Sequence, residues 1–157
     1  MELLFERLYG LFTGLFGSDL AEHLRGWEET TRGYTGAHLF SLIGWTTLIV
    51  VAIFCITYYF IINHPRFNRW WSWLIMLGSA SVINFLIAFR MTQLHLLNNR
   101  ISSDLIGQIS IANCLNFGLA NFKISVVLFI MCSILCLLWI KYVKQGGHNC
   151  KNSPFKL

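Results

Sequence analysis

The chain has 157 residues, 55% of them apolar and only 12% charged, whereas charged residues make up about a quarter of a soluble domain. That balance excludes an ordinary soluble domain and indicates a single membrane-embedded one. Twelve Lys and Arg against seven Asp and Glu leave a formal charge of +5, but the basic residues are scattered between apolar runs, so nucleic acid is not expected as a partner.

The first 16 residues, MELLFERLYGLFTGLF, are strongly apolar yet too short to cross about 30 Å of hydrocarbon. They lack the basic start and small-residue cleavage site of a secretory signal. Glu2, Glu6, Gly10, Thr13 and Gly14 recur every three to four residues. This predicts a helix with a narrow polar edge, lying in the interface plane or packing as core against other helices. In SDLAEHLRGWEE, Asp19 followed by Glu22 has capping-box spacing and Gly26 offers a C-terminal stop, so a second short helix is expected. A polar, turn-rich linker then completes an N-terminal amphipathic, interfacial region over residues 1–38.

Residues 39–62 carry no charge over 24 positions, enough for a transmembrane helix. Tyr58 and Tyr59 near its end are candidate interface anchors. Pro65, Arg66 and Arg69 make a tight turn, with both arginines favouring headgroups, and Trp70, Trp71 and Trp73 mark re-entry at the interface. The second span covers residues 70–89. Gly78, Ser79, Ala80 and Ser81 give it a small-residue face for close helix packing. Asn84 is the amide inside it, bonding to a neighbouring helix or facing a subunit interface or water path. A third span, residues 124–140, lies between Lys123 and Lys141, with Trp139, Lys141 and Tyr142 as anchors at its end. Its 17 residues suffice if the lysines snorkel or residues 119–122 join it.

Between the second and third spans, residues 101–122 read as an amphipathic segment that is interfacial, packed within protein, or re-entrant beside water. Gln108, Asn113, Asn116 and Asn121, with Asn84, are the candidate pore-lining residues. The expected fold is an all-α integral membrane protein with three transmembrane helices, a transmembrane domain over 39–143, and a basic, flexible tail over 144–157. Density of Lys and Arg beside the spans places the C-terminus in the cytoplasm, and a bacterial inner (plasma) membrane is the expected location.

Catalytic signals are sparse. Arg90 and His95 form R-x4-H, which resembles the ribonuclease motif of HEPN domains and would imply attack on an RNA backbone. An arginine ending an apolar run is equally well explained by snorkelling. No phosphate loop, H-E-x-x-H or G-x-S-x-G is present in the sequence. Five dispersed histidines and five cysteines without a CxxC pair suggest no metal centre. The chain is therefore expected to be non-enzymatic and free of cofactors. Two roles fit: a homo-oligomeric pore or channel-like effector that depolarises the membrane, or a membrane anchor or scaffold recruiting a protein partner through its N-terminal region or tail.

Overall fold

A computed structural model describes residues 2–28, 32–34, 38–62, 70–98, 105 and 107–143. Among these residues there is no strand, and Glu28 pairs with Gly33 in an isolated bridge. The helices are α1 (Glu2–Gly10), α2 (Thr13–Phe16), α3 (Ser18–Arg25), α4 (Leu39–Ile56), α5 (Trp70–Leu97) and α6 (Ile111–Val143). α4 runs on through a wider turn over Thr57–Ile61, where the N–H of Ile62 bonds the Thr57 carbonyl at 2.8 Å. Leu39–Ile61, Trp70–Leu97 and Ile111–Ile140 are each long and apolar enough to cross a membrane. The chain is thus an all-α membrane protein.

Element ends differ from the sequence expectations for physical reasons. α6 starts at Ile111, so residues 111–122 are the first turns of the third spanning helix and not a separate segment. Asparagine is only a fraction of a kcal/mol worse than alanine in a helix, and tertiary contacts repay that. α5 continues through Arg90 to Leu97, since an arginine ends the apolar run without removing any backbone hydrogen bond. Gly17, and not Asp19, precedes α3, with φ 93° and ψ 153°, a region almost exclusive to glycine. Gly26 does stop α3: it is left-handed at φ 92°, and its N–H bonds the carbonyls of Glu22 and His23.

The chain divides into two compact units. The first comprises Met1–Thr47 and Asn84–Phe122. Its core is aromatic: Tyr9 stacks on Phe40 with centroids 5.3 Å apart, and Phe16 meets the edge of Phe117 at 5.1 Å. Such ring pairs add about 0.5–1.5 kcal/mol each beyond area burial. Phe5 lies so close to Gly44 that a Cβ there would overlap its ring. α1 therefore packs as core against the spanning helices, while Leu4, Leu11 and Leu15 remain exposed.

The second unit comprises Leu48–Ile83 and Lys123–Leu157. Val51, Cys55, Tyr58, Tyr59, Trp73, Ala80, Phe129 and Leu137 form its core. The Trp73 indole N–H donates to Ser133 Oγ at 3.1 Å, and the Cys55 thiol lies 3.8 Å from the Phe129 carbonyl. Exposed Val127, Met131, Leu135 and Trp139 recur every four residues along α6, the stripe expected of a helix face turned to lipid.

Candidate functional site: a buried amide network

The first unit holds a polar network centred on Asn121, which is fully buried. Its Oδ1 accepts from the Tyr9 hydroxyl at 2.6 Å and lies 3.1 Å from Thr47 Oγ1. The Thr47 hydroxyl also bonds back to the Ile43 carbonyl at 2.8 Å. With one proton to give, it leaves Tyr9 as the principal donor. Asn121 Nδ2 donates to the Asn84 carbonyl at 2.8 Å, and Asn84 Nδ2 reaches the Thr47 carbonyl at 3.5 Å. Burial pushes the Tyr9 phenol up, against a smaller opposing effect of its contact with Thr47. Tyr9 thus stays protonated and able to donate.

Four helices meet here because each brings one polar group to an otherwise apolar face. Thr47 lies eight residues into α4, about 12 Å from its start at 1.5 Å per residue. α1 therefore reaches well below the end of the span, where an unpaired hydroxyl or amide would be costly. The backbones approach closely beside the network. A Cβ on Gly118 would come within 2.9 Å of the Phe85 ring and 3.3 Å of its carbonyl.

Of the five lining candidates, Asn84 and Asn121 are brought together inside the chain, each 0% exposed. Asn113 and Asn116 lie half-buried on the flank of α6, three residues apart and so on neighbouring turns. The Asn113 N–H bonds the Ser110 carbonyl at 3.0 Å, and its Oδ1 accepts from Ser110 Oγ at 3.2 Å. Gln108 is exposed, ahead of the helix.

Among the packing candidates, Ala80 and Ser81 are buried, whereas Ser79 is exposed and a Cβ on Gly78 would meet nothing. Trp70, Trp71, Trp139 and Tyr142 are exposed; Tyr58, Tyr59 and Trp73 are buried in the second unit's core. Lys141 falls in the last turn of α6. Arg66, Arg69 and residues 144–157 lie outside the described residues.

Sequence reasoning passed over Tyr9, which looks like one more aromatic in an apolar run, and Gly118. The signal for Tyr9 was its hydroxyl within a segment otherwise suited to burial. Elsewhere in this unit Arg25 pairs with Glu6 at 2.9 Å, beside a polar cleft of about 20 Å³ lined by Glu6, Leu24, Arg25, His38, Phe40 and Ser41, room for a single water. Among the described residues no three His, Cys, Asp or Glu side chains come together as metal ligands.

No protein-family model, curated protein or solved structure matches the chain. The fold and the network define its class on their own: a small helical membrane protein whose interior amides tie an N-terminal helix to its spanning helices.

Proposed function

We propose that the protein is a non-enzymatic, homo-oligomeric pore that permeabilises or depolarises the membrane. The observation that carries this reading is the half-buried amide flank of α6. Asn113 and Asn116 sit on a helix long and apolar enough to cross a membrane, with their neighbours Ile111, Leu115 and Leu119 exposed. A carboxamide turned to lipid is costly, so such a flank is best served by water or by another copy. Asn84 and Asn121 take a different part. They are committed to bonds within one chain, so a path through a single copy would break them, and the path lies between copies. Asn113 and Asn116 line it, Gln108 stands at its mouth, and the buried pair holds the lining helix in place. In a bacterial inner membrane such a pore would act as a toxin or antiviral effector.

Ion and dye efflux from liposomes containing the purified protein tests this. Wild-type protein should release both, and Asn113→Leu and Asn116→Leu should each lower the rate about tenfold, the scale of 1.4 kcal/mol. Efflux unchanged by both substitutions removes the lining. A folded oligomer that never conducts, at any voltage or with added cytosolic extract, removes the pore.

One observation favours a second reading, an anchor or scaffold subunit: both ends of the Asn121 carboxamide are bonded within the chain, as a purely structural bundle needs. The partner would then dock on the N-terminal region or the basic tail.

A further inference from the structure

We propose that α3 is a lid held against α5 by the His23–His95 contact and released when His23 is protonated. The lid claim stands without the pore; only its effect on conductance rests on that reading.

The two imidazole rings have centroids 5.5 Å apart and planes at 58°. His23 is 7% exposed, and its Nε2 has no hydrogen-bond partner among the described residues. A proton on His23 leaves a buried cation against the neighbouring ring. On α3 itself, Asp19 lies one turn before His23, Glu22 is adjacent, and Arg25 is paired with Glu6 of α1. Arg7 of α1 is exposed, and His38 before α4 is exposed. α5 presents His95, with Arg90 bonded to Gln93 at 3.4 Å. The described residues from Leu105 to Phe122 carry no charge, Cys114 being their titratable group. Arg100 and Asp104 fall outside the described residues.

Burial first, and the charge of His95 second, hold the His23 imidazole down to about 4. A lifted α3 would return it to the ordinary value near 6.5. Between those two pH values the lifted form binds more protons, so acidification favours lifting and alkalinity favours closure. A shift of this size corresponds to a change of roughly two orders of magnitude in the open-to-closed ratio.

The mechanical parts are also in place. α3 is bracketed by Gly17 and Gly26, both at positive φ of 93° and 92°, and glycine can change φ there without a Cβ clash. Leu20, Ala21 and Leu24 are its buried apolar residues. Gly17 sits over the start of α6, where an added Cβ would lie 3.6 Å from Asn113 Nδ2. Lifting α3 about Gly17 would change the surroundings of Asn113 at the start of the proposed lining.

Amide hydrogen exchange on the full chain in nanodiscs, corrected for the intrinsic pH dependence of exchange, reads the lid directly. Protection over residues 18–25 should fall at least tenfold from pH 7.5 to pH 4.5, while the spanning parts of α4–α6 keep theirs. His23→Phe, which stays buried and cannot titrate, should abolish that response. His95→Gln, at a half-buried site tolerant of an amide, should weaken it, and serves alone if His23→Phe does not fold. Protection independent of pH, or an acid loss undiminished in these variants, overturns the lid. Liposome efflux over the same pH range separates the two readings. Lid movement with acid-stimulated efflux supports both; lid movement with no efflux at any pH upholds the lid against the pore; efflux rising with no lid movement overturns the lid alone.

Discussion

At the scale of single residues, Asn121 matters out of proportion to its size, because one carboxamide joins α1, α4 and α5 to α6. Hydrogen bonds between helices in membranes average about 0.6 kcal/mol and reach nearly 2, but removing one partner also strands the other in the interior. Tyr9→Phe deletes a donor and leaves a well-packed ring, so it should cost about 1 kcal/mol. Asn121→Leu strands the buried Tyr9 hydroxyl and removes the second bond to the Asn84 carbonyl, which keeps its helical one, and should cost about 2–3 kcal/mol. Thermal unfolding in detergent should rank Asn121→Leu well below Tyr9→Phe; midpoints of both variants equal to the wild type would show that the network contributes nothing. His23 gives a pH dependence of defined sign. Because its folded value is depressed to about 4, its contribution is fully present above about pH 6.5, declines as the pH falls, and levels off below about 4. His23→Phe should flatten the acid limb of the stability profile. Asn84 was legible in the sequence as a lone amide in a span, where bonding to a neighbouring helix is the standard expectation. Its partner was not, because nothing local in the sequence says that an asparagine 37 residues away would reach it.

At the scale of elements, close helix approach depends on where a glycine faces and not on how many small residues cluster. The run Gly78–Ser81 was the visible small-residue feature, yet space is open at Gly78, and α5 meets α6 closely at Gly118. Gly118→Ala forces its methyl into the Phe85 ring and carbonyl and should cost about 1–3 kcal/mol through overpacking, whereas Gly78→Ala should be neutral or slightly stabilising from helix propensity. The same thermal measurement decides, and a larger loss at Gly78 would invert the assignment. The spanning helices themselves were legible because uninterrupted apolar length is a property of sequence alone. The start of α6 was not: its amides looked like an exposed face until the other helices supplied partners. Tyr58, Tyr59 and Trp73 show the same limit, since an aromatic near a span end serves equally well as an anchor or as core, and only neighbouring helices choose.

At the scale of the whole molecule, composition established the class and left the interior undetermined. Apolar content and three long runs suffice for an all-α membrane protein, while the docking of α1 depends on pairings more than 100 residues apart, such as Tyr9 with Asn121. A single crossing by Ile111–Ile140 predicts opposite sides for the sequence before it and the sequence after it. Single cysteines introduced at Ser102 and Ser153, with the native cysteines replaced, should each react with an impermeant reagent from a different side. Reaction of both from one side would rule out three crossings.

The bond from Tyr9 to Asn121 spans 112 residues, and that separation orders the assembly of the molecule in time. At about 5–20 residues per second of synthesis, the first helix leaves the ribosome roughly 6–20 s before the side chain that receives it has been made. Phe5 can settle against Gly44 and Trp45 of α4, but Tyr9 stays without its acceptor until α6 has entered the membrane. The segment made first is therefore among the last to be fully seated.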